Sequence, residues 1–319
     1  MADLRFAVVG AGGVGGFFGA LLHNGGASVK FLARGAHLEA ARANGLKVQS
    51  RGTVINVPGD CFFDSPSGIG PVDVVFFCVK SYDTEESARA IAQLVHDGTI
   101  IISLQNGVDN EEVIARVIQR GTVFGGLAYI FATITAPGEI TEWGGPKKIV
   151  FGPLRKEPHL VQKGAAILET VTSCGVDAEL AEDIAVAIWS KFTLIAAVGG
   201  LTALTRLTLG QILENPESYT LLRSAMAETF AVAKAIGVGM PSSLLDDTFA
   251  RLAKFENNSR SSLYVDLVNE RRLEIDALSG TVMRLGKQHG VSTPIHSMIY
   301  AALIPHHRMA LRRLAIKQS

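Results

Sequence analysis

One lysine occupies the most apolar segment of the chain. Lys191 lies near the middle of residues 184–204, where nearly every other residue is apolar or small. An ammonium group there can donate a proton and can stabilise negative charge that develops on a neighbouring oxygen. A buried charge without an acidic partner costs several kcal/mol, unless the side chain reaches water. The segment therefore predicts a catalytic lysine, and a snorkelling side chain at a helix edge is the alternative.

A glycine-rich loop near the N-terminus is a second candidate site. The sequence VVGAGGVGG places Gly10, Gly12 and Gly15 between an apolar strand and a helix. In this pattern the first glycine allows a tight turn, the second lets the backbone approach a pyrophosphate, and the third permits close helix–strand packing. The helix N-terminus adds N–H groups and a positive dipole end. We therefore predict a dinucleotide site rather than an ordinary glycine turn. Its phosphate-binding residues would be Gly10, Ala11, Gly12, Gly13, Val14 and Gly15.

The end of the second strand bears on the choice of dinucleotide. Sites that prefer NAD usually carry Asp or Glu there, to hold the ribose 2′-hydroxyl. Arg34 stands in this region instead, and a guanidinium suits the 2′-phosphate of NADP. Glu39 lies further on, inside the following helix. We therefore predict NADP (NADPH) as cofactor, with Arg34 as one of its ligands; a solvated arginine at a strand end is the alternative.

Two more polar residues follow apolar strands. Lys80 ends the run VVFFCVK, and Asn106 follows the next run in LQNG. Ligands of open α/β sheets bind outside the carboxyl ends of the strands. Both residues are therefore expected beside the cofactor and the substrate. Each also has a simpler explanation, because a lysine can end a strand and an asparagine before Gly107 can form a turn.

The order of apolar and amphipathic runs predicts an α/β fold. Over roughly the first 130 residues, short β-rich runs alternate with helical patterns, which is typical of an open, mostly parallel sheet with right-handed crossovers. After Gly121, turns at Pro137-Gly138 separate runs that suggest antiparallel strands. From Asp183 onward the patterns are helical. We expect a Rossmann-type doubly wound sheet in a domain at residues 1–181 and an all-helical domain at residues 182–319.

The bulk composition limits the class of protein. Of the 319 residues, 48% are hydrophobic and 19% charged, which is enough apolar material for a sizeable core. The 30 basic and 30 acidic residues balance, so no net field favours nucleic acid or an anionic membrane. Cys61, Cys78 and Cys174 are widely separated and lack metal-ligand spacing. This pattern indicates reduced packing thiols in a cytoplasmic protein and no metal site.

Three segments could suggest a membrane span, a signal peptide, or a metal or nucleic-acid site, but each has a feature that argues against that interpretation. Residues 184–204 are long enough to span a bilayer, but Lys191 near their centre would cost about 2.5–3.5 kcal/mol on insertion. The N-terminus lacks the charged start and longer apolar core of a signal peptide. His306 and His307 lack a third ligand nearby and predict a surface pair, and the basic segment after them predicts a solvated helix. We expect no membrane or nucleic-acid partner.

Taken in order, these elements resemble the ketopantoate reductase (2-dehydropantoate 2-reductase) family, over nearly the whole chain. The segments that carry the resemblance are the glycine loop, the arginine that ends strand two, CVKSYD, LQNGVDN, WSKF, LTAL and SSLYVDLVNERRLEIDALSGTV. Members have an N-terminal Rossmann domain and a helical C-terminal domain. They reduce ketopantoate to pantoate with NADPH, on the way to pantothenate and coenzyme A. The resemblance implies the same fold, cofactor and reaction for this chain.

The resemblance also implies roles for single residues. Lys191 corresponds to the general acid that protonates the ketone oxygen. Glu274 corresponds to the glutamate that contacts the substrate and orients this lysine, and Ser262 to the serine that hydrogen-bonds the substrate. Lys80 and Asn106 correspond to the residues beside the nicotinamide.

The physical chemistry of a lysine–glutamate pair agrees with these roles. Burial lowers the pKa of a lysine, and a nearby carboxylate raises it again. Glu274 would therefore help to keep Lys191 charged among apolar neighbours. The alternative for Glu274 is a surface partner of Arg271, three residues before it on a helix.

Some positions depart from the family pattern. Ile195 and Gly199 stand one and two turns after Lys191, where many members carry asparagine, and Ser279-Gly280 replaces a frequent Asn-Gly. The wall becomes apolar and roomier, and missing hydrogen-bonding groups change discrimination by orders of magnitude. A less polar 2-oxo acid is therefore the first alternative to ketopantoate as the small-molecule substrate. A catalytically silent NADP-sensing protein is the second. Apolar C-terminal helices are compatible with a homodimer.

Overall fold

The computed structural model describes residues 4–252 and 258–318. The chain divides into two compact units. Unit 1 comprises the residues up to Gln105 together with Asp109–Ala187, and unit 2 comprises Asn106–Val108 together with the residues from Ile188 on. The division falls shortly after the boundary predicted at residue 181. A three-residue piece of the loop at Asn106 is counted with unit 2, which no sequence pattern indicated.

Unit 1 is built on a ten-stranded sheet. Its strands are β1 (Arg5–Val9), β2 (Ser28–Leu32), β3 (Leu46–Ser50), β4 (Thr53–Val57), β5 (Phe62–Phe63), β6 (Val74–Phe77), β7 (Ile100–Ser103), β8 (Thr122–Ala136), β9 (Glu139–Pro153) and β10 (Asp177–Leu180). The strand order is β4-β3-β9-β8-β7-β6-β1-β2-β5, and β10 lies beside β9. Pairing is parallel from β5 to β8 along this order, and antiparallel for β8 with β9 and for β3 with β4.

The central strands are apolar because the sheet is covered on both faces. Every residue of β6 and β7 is buried, as is β1 after its first residue. Alternate residues enter two different core clusters: Phe6 and Phe76 belong to one, Ala7 and Val75 to the other. Continuous apolar runs of this kind are typical of parallel strands between two helical layers. The predicted Rossmann-type doubly wound α/β fold is confirmed.

Helices and short turns connect these strands. The helices are α1 (Gly13–Asn24), α2 (Gly35–Asn44), α3 (Thr84–Ala90), α4 (Asn110–Ile118) and α5 (Pro158–Ser173), and the 3₁₀ turns are Gly59–Cys61, Pro66–Gly68, Ser81–Asp83 and Ala92–Leu94. Two strands are shorter than predicted, because β2 ends at Leu32 and β6 at Phe77. Arg34 and Lys80 keep an extended backbone but serve as the residues before a helix and a 3₁₀ turn. Both therefore lie in loops at the carboxyl edge of the sheet.

Unit 2 is helical, as predicted. Its elements are α6 (Ile184–Thr205) from Ile188 on, α7 (Leu209–Glu214), α8 (Pro216–Ala235), α9 (Leu244–Leu252), α10 (Ser262–Val268), a π turn (Asp276–Gly280), α11 (Thr281–Gln288) and α12 (Pro294–Gln318). Helix α12 continues through Pro305, so the predicted basic C-terminal helix is the second half of a longer element. The helical pattern of residues 242–255 predicts a helix there, and its last three positions lie outside the described residues.

Helix α6 continues through Gly199-Gly200 to Thr205. A side chain on Gly200 would collide with Ile299, so glycine here allows close packing rather than a helix end. Within the described part of the chain, α6 alone is long and apolar enough to cross a membrane, and 56% of its most apolar window is buried inside the protein. Phe192 and Leu201 are among its residues in the core cluster of unit 2. It is the core helix of that unit.

Candidate active site

The glycine loop joins β1 to α1. Gly10 has φ +94°, a conformation that favours glycine. A Cβ on Gly15 would collide with the carbonyl oxygen of Gly10, so the third glycine is needed for close packing. A Cβ on Gly12 would meet nothing within 4 Å, and Gly12 caps α1 without a side-chain hydrogen bond. The backbone here is open to a ligand, so the loop fits the pyrophosphate of a dinucleotide.

A fourth glycine of the loop has a role that the motif does not explain. A Cβ on Gly13 would collide with the carbonyl oxygen of Ala132 in β8. The start of α1 is thus pressed against the long β8 strand. The constraint comes from a residue distant in sequence, so no local pattern announces it.

Arg34 forms an ion pair with a buried carboxylate. Its Nη2 donates to Oδ2 of Asp83, in the 3₁₀ turn after β6. The Arg34 side chain is 69% exposed and that of Asp83 only 6%. Asp83 therefore holds the guanidinium from one side while leaving it open to solvent. Glu39 is exposed on α2. Sequence reasoning missed Asp83, which directly precedes α3 but makes no side-chain cap hydrogen bond there.

A buried amide ties together the loops after β6 and β7. Nε2 of Gln105 donates to the carbonyl oxygen of Val79 at 2.9 Å and to Oγ1 of Thr84 at 2.8 Å. The hydroxyl of Thr84 also donates to the carbonyl oxygen of Ser81 at 2.8 Å. Lys80 lies between these anchored residues and is half-buried. The loop that carries Lys80 is thus fixed on both sides of that residue.

Lys191 meets two of the predicted site residues within unit 2. Its Nζ donates to Oδ1 of Asn106 at 2.8 Å. Burial lowers the pKa of Lys191 to about 8, against the opposing effect of the Glu274 carboxylate. Glu274 is only 7% exposed, so it is not the surface partner of Arg271. The Lys191 amine thus has a hydrogen-bond acceptor in Asn106, an electrostatic interaction with Glu274 and a pKa of about 8.

Ser262 is not part of the hydrogen bonds just described. It is the first residue of α10, and its side chain is exposed. Its neighbour Ser261 caps the helix instead: its Oγ accepts from the backbone N–H of Tyr264 at 3.0 Å and shares a 2.7 Å hydrogen bond with Oγ1 of Thr202. The role of Ser262 toward a substrate stays a prediction.

The face of α6 beyond Lys191 is apolar. Ile195 is half-buried one turn later. A Cβ on Gly199 would lie 3.7 Å from Cδ1 of Leu278 and 3.8 Å from Cβ of Leu263, which is ordinary van der Waals contact. A small side chain therefore fits at Gly199, and the wall that it would join consists of leucines.

Glu111 is a buried carboxyl group that sequence reasoning missed. It lies on the first turn of α4 and is 7% exposed. Burial raises the pKa of Glu111 to about 7, while hydrogen bonds, including one from Ser103, oppose this shift. Because the pKa is higher in the folded than in the unfolded protein, stability falls as pH rises from 4.5 to about 7. The sequence NEEV gave no sign of burial.

We expect Glu111→Gln to stabilise the protein above neutral pH. Removing the titration should add about 3 kcal/mol to the free energy of unfolding at pH 8 and almost nothing at pH 4.5. Urea denaturation at both pH values measures the difference. Glu112→Gln, on the exposed neighbouring residue, is the matched control. A Glu111→Gln effect of the same size at both pH values would contradict the prediction.

The cysteines, the potential metal ligands and the two C-terminal histidines were also subjects of predictions. The three cysteines are free thiols, as expected. Among the described residues, no cluster of His, Cys, Asp and Glu could hold a metal ion. His306 is exposed, but His307 is 7% exposed, so the predicted surface pair is wrong for His307. The reason is that α12 turns that position toward the core of unit 2.

Family models match both parts of the chain. The model described as "Ketopantoate reductase PanE/ApbA" matches residues 6–156, and the one described as "Ketopantoate reductase PanE/ApbA C terminal" matches residues 183–307. Together they span well over half of the sequence.

Individual relatives agree with the family models. The 2-dehydropantoate 2-reductase of Halobacterium salinarum is 29% identical over 293 residues, which cover 92% of this chain and 95% of that protein. The crystal structure of 2-dehydropantoate 2-reductase from Geobacter metallireducens is 31% identical, with a TM-score of 0.85 over 95% of this chain and 99% of that one. A D-mandelate dehydrogenase solved with NADH and anilino(oxo)acetate has a TM-score of 0.86 at 20% identity over 96% of this chain and 99% of that one, which shows a shared fold.

Proposed function

The chain belongs to the ketopantoate reductase family, and from this membership we propose that it reduces 2-dehydropantoate to pantoate with NADPH, using Lys191 as the general acid. Family membership makes it an NAD(P)-dependent oxidoreductase that acts on small 2-oxo acids. Pantoate formation would place it in pantothenate and coenzyme A biosynthesis, in the cytoplasm. The observation that carries the proposal is the Lys191 amine, with a pKa of about 8 and a 2.8 Å hydrogen bond to Asn106.

The residues of unit 2 would perform the proton transfer. Bound NADPH would supply a hydride to the carbonyl carbon of the substrate. As negative charge develops on the carbonyl oxygen, Lys191 donates a proton to it and stabilises it electrostatically. Asn106 takes one of the three ammonium hydrogens and so orients the others. Glu274 raises the pKa of Lys191 against burial and so keeps the donor protonated near neutral pH.

The choice of NADPH over NADH is supported by the loop after β2. Arg34 is exposed there and is held by Asp83 through one nitrogen. A guanidinium carries five N–H donors, so hydrogens remain for phosphate oxygens. The other ligands of the dinucleotide would be the residues of the glycine loop, with its open backbone at Gly12.

We expect the purified protein to oxidise NADPH in the presence of ketopantoate. The test is the rate of NADPH and of NADH oxidation, followed by the loss of absorbance of the reduced nicotinamide, with ketopantoate and with a panel of 2-oxo acids that differ in side-chain size and polarity. The proposal is supported if kcat/KM is higher with NADPH than with NADH and higher with ketopantoate than with the other 2-oxo acids. Tight NADPH binding without turnover of any 2-oxo acid would contradict it and would favour an NADP-sensing protein.

A less polar 2-oxo acid is the second candidate substrate. It is favoured by the apolar face of α6, where Ile195 is half-buried and Gly199 lies beside Leu263 and Leu278. At Ile195 and Gly199 the helix carries no amide that could bond a substrate hydroxyl, so discrimination in favour of polar acids weakens. A higher kcat/KM for a branched or aromatic 2-oxo acid than for ketopantoate, in the same panel, would select this candidate.

A further inference from the structure

Glu274 lies on a segment without regular secondary structure. Residues 271–274 follow the end of α10 and precede the π turn, and they are neither helix nor strand. Backbone N–H groups in such a segment need partners outside a helical or sheet pattern. The flanking Leu273 and Ile275 are 1% and 0% exposed. The backbone that carries Glu274 is therefore buried and depends on tertiary hydrogen bonds for its position.

His307 supplies one of these hydrogen bonds. Its Nδ1 accepts from the backbone N–H of Leu273 at 3.0 Å. Leu273 directly precedes Glu274 in the chain. Because Nδ1 accepts, it carries no proton in this arrangement. The imidazole thus fixes the peptide group immediately before Glu274.

The same helix fixes the chain after Glu274. Oη of Tyr300 donates to Oδ1 of Asp276 at 2.7 Å, at the start of the π turn. Nδ1 of His296 lies 3.1 Å from Oγ of Ser279, near its end. Side chains from three turns of α12 therefore hold the segment on both sides of Glu274. A π turn within a helix frequently marks a functional position.

We propose that His307 is a positioning residue for the reduction, because it fixes the peptide group before Glu274 and so places the carboxylate that acts on Lys191. The inference rests on the proposed function for Lys191. Without the acceptor, the N–H of Leu273 is left buried and unpaired, which costs free energy and favours movement of the segment. If Glu274 moves, its carboxylate stabilises the positive charge of the Lys191 amine less.

The test compares two substitutions of His307. In His307→Asn the side-chain oxygen can take the place of Nδ1, whereas His307→Leu removes the acceptor at similar size. We expect His307→Leu to shift the alkaline limb of the kcat–pH profile to lower pH by about half a unit or more, because Lys191 then loses its proton more readily. His307→Asn should keep most of the original profile. The control is His306→Leu, on the exposed neighbour in the same helix, which should leave the profile unchanged.

A stability effect alone would not produce this pattern. If folded His307→Leu keeps the original pH profile, His307 is merely structural and the proposal is overturned. If His307→Leu does not fold, Tyr300→Phe decides, because it removes only the hydroxyl that donates to Asp276. Tyr300→Phe should shift the profile in the same direction, and an unchanged profile would overturn the proposal.

A second readout separates this inference from the proposed function. The reactivity of Lys191 toward acetic anhydride, measured by peptide mass spectrometry as a function of pH, reports the pKa of the amine without turnover. If no 2-oxo acid is reduced, the proposed function fails, while a lower pKa of Lys191 in His307→Leu still supports the positioning role. An identical titration of Lys191 in both proteins would refute that role even in an active enzyme.

Discussion

Lys191→Ala should lower kcat by about 10²–10⁴ while leaving the affinity for NADPH nearly unchanged. The amine is hydrogen-bonded to Asn106 and influenced by Glu274, both in unit 2, whereas the glycine loop belongs to unit 1. The Lys191→Ala substitution removes the proton donor and the charge that stabilises the developing alkoxide. Steady-state kinetics gives kcat, and the quenching of protein fluorescence gives the Kd for NADPH.

The pH dependence of kcat should reflect the titration of Lys191. Lys191 must be protonated to act, so kcat of the unmodified enzyme should fall as pH rises through about 8. In Lys191→Ala this alkaline limb should disappear from the residual activity. Lys234→Ala, on an exposed lysine of α8, is the matched control and should retain kcat. Loss of NADPH affinity in Lys191→Ala, without a fall in kcat at saturating cofactor, would contradict the assignment.

Arg34→Ala should weaken NADPH binding by about 10- to 100-fold, the effect of losing a charge-assisted contact, and should leave NADH binding almost unchanged. The two cofactors differ only in the 2′-phosphate, so the ratio of their affinities isolates the contact with that group. The guanidinium is exposed and is anchored by the buried Asp83. Titration of both cofactors into the wild type and the variant measures the ratio.

Arg42→Ala is the matched control for this substitution. Arg42 lies on α2, the helix that follows Arg34, but it pairs with Asp64 at 3.0 Å and is not expected to bind cofactor. It should leave both affinities unchanged. Equal weakening of NADPH and NADH by Arg34→Ala would show that Arg34 supports the fold of the loop rather than the phosphate.

The parts of the fold that were predictable are those that local patterns specify. The strands β1, β6 and β7 are apolar except for Arg5 and Ser103, because both faces of the sheet are covered, and the glycine loop follows the first of them directly. The antiparallel pair after Gly121 was indicated by its turn residues and is confirmed as β8 and β9. These features depend on residues close together in the chain.

The parts that escaped prediction depend on tertiary contacts. Arg34 and Asp83 are 49 positions apart, and His307 meets Leu273 across 34 positions. The burial of Glu111 follows from packing of α4, since its own sequence is rich in charge. Lys191 and Glu274 were linked through the family resemblance, and no spacing in the sequence indicated that link.

The π turn at Asp276–Gly280 has a geometric consequence for Glu274. A π turn winds one more residue into the helix than regular α geometry does, and one residue corresponds to a rotation of about 100° around the axis. Deletion of one residue from this turn would restore regular α geometry. It would also rotate the Glu274 side chain to a different direction around the helix axis, with α11 left intact. The direction of the Glu274 carboxylate therefore depends on the number of residues wound into this turn.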